Sequence, residues 1–284
     1  MNQARKVWLV FNEASGSNNE AALAELREAF REAGLEVVHE TCFPGTNSPT
    51  RGELEAANAD TIAVFAGDGT ISSVVSRVGG WSGAVLPLPG GTMNMLSRRL
   101  HGDACGTEVI ARFRHGIVNR GRPTVLLSRH AVGLTGALAG PGTVWNDVRE
   151  AMREMNLMEF VTSATEAIAW SANGPRVICL DSDRGRDEGY AAITLTPQDN
   201  GIEGSGYYAA TIGDFARHGV ALLQHDFRNG PHDFLGSHSR MRLVCPNGEP
   251  MGLLIDGEPF DGGAEEEFRL GTSEIDFWVT ADAR

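Results

Sequence analysis

Lysine is almost absent from this chain of 284 residues, because Lys6 is its only lysine and arginine supplies the other cationic side chains. A Walker-type phosphate loop needs a lysine directly after its glycines, and protein kinases need one on a core strand. Enzymes that form a Schiff base need a lysine in the site as well. The sequence therefore excludes these three classes.

Cysteine and long apolar runs are also scarce. The four cysteines lie far apart without a C-x-x-C pair, which excludes a disulfide framework and a zinc knuckle. No run of about 18 apolar residues occurs, and the amino terminus lacks a signal-peptide pattern, so we expect a soluble, cytoplasmic protein. The formal charge of -13 argues against a nucleic-acid partner and against attachment to anionic lipid by overall charge.

The first part of the chain alternates strand-like and helix-like segments. Strands are predicted over residues 6–11, 35–41, 60–66 and 84–88, and amphipathic helices follow the first, third and fourth of them. Such alternation is typical of a parallel sheet covered on both faces. We therefore expect an α/β domain over residues 1–119.

From about residue 119 the pattern changes to short strands joined by turn-rich links. Strands are predicted over residues 124–128, 176–180, 191–196, 240–245, 252–255 and 275–280, with one helical interval at about 143–169. The run Glu265-Glu266-Glu267 is interpreted as a solvated loop. The prediction is a second, mainly β domain over residues 120–284.

The stretch AVFAGDGTIS, residues 63–72, places Asp68-Gly69 between two apolar runs, which is a hairpin signal. A hairpin needs a period of two on both sides of its turn. Here Ile71, Val74, Val75 and Val78 instead recur at helical spacing. The stretch is therefore predicted to be a strand, a glycine turn and a helix, whose amino terminus could hold a phosphate.

Two further turns of this kind strengthen that interpretation. One follows the first predicted strand at residues 12–17, and the other follows the fourth at Pro89-Gly90-Gly91-Thr92. Ligands of such sheets bind beyond the carboxyl ends of the strands. The three turns together predict a nucleotide or another phosphate ligand.

These motifs resemble those of one family. Ala66-Gly67-Asp68-Gly69-Thr70 is similar to the G-G-D-G-T signature of the diacylglycerol kinase catalytic domain and its bacterial lipid kinase relatives, and NAD kinases share that signature. The stretch LPLPGGTMN, residues 86–94, resembles the lipid kinase stretch L-P-x-G-T-x-N-D-F-A. Residues 12–16 resemble its N-P-x-S-G opening, and Ile255-Asp256-Gly257-Glu258 resembles its D-G-E motif.

The resemblance implies a nucleotide-binding α/β domain like that of NAD kinase and phosphofructokinase, followed by a β-sandwich domain for the lipid substrate. It implies transfer of the γ-phosphate of ATP, with Mg²⁺, to a lipid hydroxyl such as that of a diacylglycerol or a sphingoid base. The implied nucleotide-site residues are Asn12, Ser15, Gly16, Thr41, Ala66, Gly67, Asp68, Gly69, Thr70, Ile71, Ser72, Gly91, Thr92 and Asn94.

The resemblance also implies the catalytic groups. Glu258 is the expected base, with Asp256 in support or exchanging roles with it, and Asp68 is expected to orient the metal or its waters. Glu203 is the nearest counterpart of a family metal ligand. The expected partners are the lipid substrate and, transiently, the inner membrane surface, and a homodimer stays open.

Three departures from the family pattern leave alternatives open. Ala66 replaces a glycine, Met95 replaces an aspartate, and Glu203 replaces an aspartate. One alternative is an NAD kinase-type enzyme, which shares the Gly-Asp-Gly-Thr turn. The other is a nucleotide-binding regulatory protein with weakened catalysis.

Overall fold

The computed structural model describes residues 5–12, 19–141, 176–208 and 232–280. The chain forms two compact units, one made of residues 1–123 with 272–284 and the other of residues 124–271. The helix expected at about 143–169 lies outside the described residues, as do Ser15 and Gly16. The two units are considered separately.

The first unit is built from ten consecutive elements and one strand from the end of the chain. The elements are β1 (Arg5–Asn12), α1 (Glu20–Glu32), β2 (Leu35–Phe43), α2 (Arg51–Ala56), β3 (Thr61–Ala66), α3 (Asp68–Arg77), β4 (Ala84–Pro89), α4 (Met95–His101), α5 (Gly106–Arg114) and β5 (Asn119–Gly121). Helix α2 was not predicted from the sequence. It is only one turn and a half long and buries Leu54 alone, so it has no apolar stripe to detect.

A six-stranded sheet forms the centre of this unit, in the order β2-β1-β3-β4-β17-β5. Strands β1 to β4 are parallel, which confirms the α/β prediction. One face of the sheet packs against α1 and α5 through a buried apolar cluster that includes Leu9, Leu26 and Val109. Helix α1 begins at the Asn19 cap, whose side chain accepts from Ala22 N, and the chain leaves it through Gly34 at φ +69°.

The described residues of the second unit form strands. They are β6 (Thr124–Leu127), β7 (Val132–Gly133), β8 (Ala137–Pro141), β9 (Ile178–Cys179), β10 (Ala192–Gln198), β11 (Gly201–Tyr207), β12 (His232–His238), β13 (Arg240–Val244), β14 (Met251–Ile255), β15 (Glu258–Asp261) and β16 (Glu265–Thr272). They form a six-stranded sheet, β12-β11-β10-β8-β14-β15, and a five-stranded one, β7-β6-β16-β13-β9. Apolar residues of both sheets share one buried cluster, which confirms the predicted β-sandwich.

The last strand, β17 (Asp276–Val279), lies in the first sheet, parallel to β4 and antiparallel to β5. The sequence-based division after residue 119 had grouped this segment with the second domain. An apolar run carries no signal for which sheet it will join, because its pairing partners are distant in sequence. Among the described residues, no helix is long and apolar enough to cross a membrane.

The run Glu265-Glu266-Glu267 is not a solvated loop, so that interpretation was wrong. It begins strand β16, and the side chain of Glu266 is 1% exposed. The Glu266 carboxylate accepts from Arg129 Nη2 at 2.5 Å and from the Gly263 N–H at 2.6 Å. A buried carboxylate is stable only with such donors. Arg129 is distant in the sequence, and Gly263 lies in the link between β15 and β16.

A buried histidine joins the carboxyl ends of α4 and β17. His101 is 1% exposed, and its Nδ1 lies 3.0 Å from Thr280 Oγ1. Burial lowers the pKa of His101 from 6.5 to about 4, and the positive charge of Arg112 acts in the same direction. His101 is therefore neutral in the folded protein at neutral pH.

We predict that folded-state stability decreases as the pH falls from about 6.5 towards 4, because the unfolded chain binds a proton that folded His101 does not bind. The stabilisation is complete above the unfolded pKa and is lost as the pH falls through the folded pKa. Its size is on the order of 3 kcal/mol. Urea unfolding across this range should show a weaker pH dependence for His101→Gln than for the wild type. The exposed His115→Gln variant should keep the wild-type slope, and equal slopes for all three proteins would contradict the prediction.

Candidate functional site

The carboxyl ends of β1, β3 and β4 lie side by side at one edge of the first sheet, since the three strands are neighbours and parallel. Each is followed by one of the predicted turns. Those after β3 and β4 are described, whereas residues 13–18 after β1 are not. We call this the carboxyl edge of the first sheet.

The Asp68-Gly69 turn is a strand-to-helix turn, as predicted, and not a hairpin. Strand β3 ends at Ala66, Gly67 is the cap residue at φ -77°, and α3 begins at Asp68. The buried face of α3 contains Ile71 and Val74, and Val78, the cap residue at its carboxyl end, is buried as well. No side chain of the cap residue bonds the first turn of α3. The amino terminus of this 10-residue helix therefore presents backbone N–H groups and a positive dipole end at the carboxyl edge.

Two glycines bring the turns after β3 and β4 into backbone contact. A Cβ added to Gly91 would lie 2.5 Å from the Gly67 Cα and 3.1 Å from the Gly67 N. No side chain fits at that distance, so only glycine permits this approach at position 91. The Ala66 carbonyl also accepts the N–H of Gly90 at 3.3 Å. The turns after β3 and β4 therefore share one surface of backbone atoms around Gly67 and Gly91, which we call the joint loop surface.

The Asp68 carboxylate fixes the second turn to the first. Its Oδ2 accepts the N–H of Met95 at 2.9 Å, and its Oδ1 accepts the N–H of Leu96 at 3.0 Å. These donors belong to the first turn of α4 and would otherwise lack partners within that helix. A negative charge at this position also interacts favourably with the positive, amino-terminal end of the α4 dipole.

Two amide side chains complete the joint loop surface. Asn12, at the end of β1, donates from Nδ2 to Thr70 Oγ1 at 3.1 Å. Asn94 adopts left-handed backbone angles, and its side chain accepts from Gly91 N and donates to Gly91 O, both at 2.8 Å. The predicted residues Asn12, Gly67, Asp68, Thr70, Gly91 and Asn94 are therefore connected in the structure.

Other predicted site residues lie nearby in different surroundings. Ala66 and Ile71 are fully buried, so their side chains face the core and only their backbone could contact a ligand. Thr92 is exposed on the turn, and Gly69 and Ser72 lie in the first half of α3. Thr41 is on β2, opposite Val10 of β1, and is 5% exposed.

The second unit places Asp256 and Glu258 around a tight hairpin. Strands β14 and β15 pair with Ile255 opposite Glu258, and the turn residues Asp256 and Gly257 have φ values of +51° and +84°. Two positive φ angles in a two-residue loop define a type I′ turn, which Asp-Gly favours. The Asp256-Gly257 pair therefore forms a hairpin turn.

The two acids of this hairpin have opposite environments. Asp256 is 7% exposed, and its carboxylate accepts from Leu134 N at 2.7 Å, from Thr135 N at 2.8 Å and from Thr135 Oγ1 at 2.7 Å. Gly136 N donates to it as well, at 3.2 Å. Glu258 is exposed at the start of β15. Asp256 thus anchors the turn, and Glu258 projects into solvent beside it.

Glu203 lies in β11, where its Oε2 accepts from Gln198 Nε2 at 3.3 Å. Within the described ranges, no group of three or more His, Cys, Asp or Glu side chains is close enough to hold a metal ion. A metal at Glu203 stays a prediction.

Sequence reasoning missed two parts of these arrangements. The segment 134–136 that binds Asp256 is more than a hundred residues away from it in the sequence. The indole of Trp8, whose Nε1 donates to Thr41 Oγ1 at 2.9 Å, was interpreted only as part of an apolar strand. Neither contact leaves a local sequence signal.

The fold defines a class, the α/β proteins with a parallel sheet, joined here to a β-sandwich unit. Residues 6–122 match the family described as diacylglycerol kinase catalytic domain. Over these residues the match supports the diacylglycerol kinase catalytic-domain family and, with it, a kinase.

Solved structures share the fold over the whole length. A candidate diacylglycerol kinase from Bacillus anthracis str. Sterne superimposes with a TM-score of 0.63 at 14% identity, covering 100% of this chain and 99% of that one. A structure described as a diacylglycerol kinase from the same organism gives 0.63 at 16% identity, with coverage of 100% and 99%. No curated protein sequence matches significantly.

Gly91→Ala should disrupt the joint loop surface, because the new Cβ would overlap backbone atoms that cannot rotate away. We expect a loss of about 1–3 kcal/mol in the free energy of unfolding. Gly67→Ala is the matched control, since its Cβ would lie 3.6 Å from the Gly91 Cα, in ordinary contact. Chemical denaturation of both variants measures the difference. Equal losses would show that the approach at Gly91 is not tight.

Asp256→Asn should destabilise the protein by on the order of 2 kcal/mol, because the asparagine NH₂ group would face backbone N–H groups that are themselves donors. Asparagine tolerates the positive φ of this turn, so the variant isolates the hydrogen bonds from the backbone angles. The control Asp261→Asn, at the exposed end of the same strand pair, should change the free energy of unfolding by less than about 0.5 kcal/mol. An Asp256→Asn variant as stable as the wild type would contradict an anchoring role.

Proposed function

We propose that the protein is an ATP-dependent lipid kinase that transfers the γ-phosphate of ATP to a lipid hydroxyl. The observation that carries the proposal is the joint loop surface at the carboxyl edge, found within a diacylglycerol kinase catalytic domain. The backbone N–H groups of its turns suit the phosphate oxygens of a nucleotide. The class of acceptor, a hydroxyl-bearing lipid, is taken from the family, and the assay described below would identify the lipid within that class.

The proposed nucleotide site uses the backbone more than charged side chains. The α3 amino terminus would offset the negative charge of the phosphates, and the contact at Gly91 would let them approach the backbone. Because the chain has one lysine, at the start of the sheet, this offset cannot come from a lysine in the turns. Phosphoryl transfer depends mainly on positioning and charge compensation of this kind.

The residues fit a Mg²⁺ ion that is carried largely by the nucleotide. The Asp68 carboxylate is held at the carboxyl edge by two backbone N–H groups, and a carboxylate in this place could orient a metal-bound water. The described residues gather no larger cluster of metal-binding side chains, which suits a cation whose other ligands are phosphate and water oxygens. When bound, Mg²⁺ would neutralise charge on the phosphates.

The proposed base is Glu258, and the proposed role of Asp256 is to position it. A base must reach the substrate hydroxyl, and Glu258 is exposed whereas Asp256 is buried and held by backbone donors. Glu258 would accept the proton of the lipid hydroxyl as the hydroxyl oxygen attacks the γ-phosphorus and the bond from that phosphorus to the leaving ADP breaks. The fixed Asp256 turn would limit the motion of the strand that carries Glu258.

We expect transfer of labelled γ-phosphate from ATP, in the presence of Mg²⁺, to at least one member of a panel of diacylglycerols, sphingoid bases and other hydroxyl lipids. Glu258→Gln should lower the rate about 100-fold or more while leaving the free energy of unfolding unchanged, because the side chain is exposed. Asp261→Asn, on the same strand, is the control that should keep the wild-type rate.

The same assay distinguishes the alternatives. Full activity of Glu258→Gln on an accepted lipid would show that another group is the base. Phosphorylation of NAD without that of any lipid would favour the NAD kinase alternative. Calorimetric binding of ATP without transfer to any acceptor would favour the regulatory protein.

A further inference from the structure

The indole of Trp8 contacts one of the predicted nucleotide-site residues. Its Nε1 donates to Thr41 Oγ1 at 2.9 Å, and its ring stacks on His39 with a centroid distance of 4.5 Å and an interplanar angle of 29°. A partly buried indole N–H generally has an acceptor. What distinguishes this one is that its acceptor is Thr41, which is only 5% exposed and whose hydroxyl makes no other hydrogen bond among the described residues.

The register of the sheet places Thr41 close to the carboxyl edge. Val10 is opposite Thr41, and Asn12 is opposite Phe43, in the parallel pair of β1 and β2. Side chains two residues apart on a strand share a face, so Thr41 and Asn12 lie on the same face of the sheet. Asn12 contacts Thr70 in the first turn of α3. Thr41 is therefore on the same side as the joint loop surface, two residue pairs further from the edge.

The strand order brings β2 within reach of a nucleotide bound at the turns after β3 and β4. The phosphate-type turns follow β3 and β4, and β2 is separated from β3 by β1 alone. Two strand spacings amount to about 10 Å, comparable with the length from the phosphates of ATP to its base. A nucleotide with its phosphates at Gly67 and Gly91 would therefore place its nucleoside end near Thr41.

The hydrogen bond from Trp8 determines what Thr41 can offer. A threonine hydroxyl has one proton and two lone pairs, and the indole N–H occupies one lone pair. The hydroxyl proton cannot point towards Trp8, so it is directed elsewhere. The nucleoside has acceptors that could receive it, the ring nitrogens of the base and the oxygens of the ribose.

We propose that Trp8 is a positioning residue for the nucleotide, which holds Thr41 so that its hydroxyl donates to the nucleoside portion. This inference rests on the proposed nucleotide site. Trp8 itself would not touch the phosphates. Its effect should therefore appear with nucleotides and be absent with inorganic tripolyphosphate, which lacks a nucleoside.

Trp8→Phe keeps an aromatic ring against His39 and removes the donor. We expect it to weaken ATP binding about 5- to 10-fold, the usual effect of one hydrogen bond, and to change the Kd of tripolyphosphate by less than about twofold. Titration calorimetry with the two ligands, each with Mg²⁺, measures both values. Thr41→Val should weaken ATP binding similarly, and the double variant should be no weaker than either single one. Thr41→Ser, which keeps the hydroxyl, should restore most of the affinity.

Trp278 provides a matched control in the same sheet. Its Nε1 donates to Thr61 Oγ1 at 3.0 Å, the same type of bond, but Thr61 is the first residue of β3 and lies at the opposite end of that strand. Trp278→Phe should leave the Kd of ATP within about twofold of the wild type, although it removes the same interaction. Thermal unfolding of each variant confirms that it is folded, and Thr41→Val tests the proposal if Trp8→Phe does not fold.

The possible results separate this inference from the proposed function. If the wild type binds neither ATP nor tripolyphosphate, the nucleotide site itself is wrong, and this inference is wrong with it. If the wild type binds ATP, the positioning role is contradicted in three cases. These are an unchanged Kd for Trp8→Phe and Thr41→Val, an equal loss with both ligands, or an equal loss for Trp278→Phe.

Discussion

The backbone contact between Gly67 and Gly91 is the constraint on which the carboxyl edge depends. Two turns that each end a parallel strand cannot approach so closely if position 91 carries a side chain. The contact alone would leave the first turn of α4 without partners for its N–H groups. Asp68 supplies them, so the residue that opens α3 also caps α4. Steric proximity and hydrogen bonding therefore reinforce each other at the same place.

The fold of the first unit was predictable because its signals are local. Helical spacing at Ile71, Val74 and Val78 contradicted the hairpin suggested by Asp68-Gly69, and the structure confirms the helix. The pair Asp256-Gly257 instead forms a hairpin turn, because its flanking segments pair as antiparallel strands. The same dipeptide thus forms different structures at the two places, and the periodicity of the following residues decides between them.

What could not be predicted depends on contacts between distant residues. Nothing in the residues around Glu266 indicates that Arg129 would approach it, so three consecutive acids looked like a solvated loop. The position of β17 in the first sheet, the donors of segment 134–136 and the bond from Trp8 to Thr41 have the same origin. Composition and spacing identify residue types that can do chemistry. They do not identify which backbone groups will already occupy those side chains.

Asp68 and Asp256 illustrate that limit and share one physical solution. Each is the acid of an Asp-Gly pair, and each carboxylate is satisfied by backbone N–H groups from a segment that follows a different strand. Backbone donors therefore stabilise both acids. A carboxylate held in this way gains rigidity and loses freedom to reach a substrate. This contrast is the reason why Glu258, which follows the second turn and is exposed, is the proposed base.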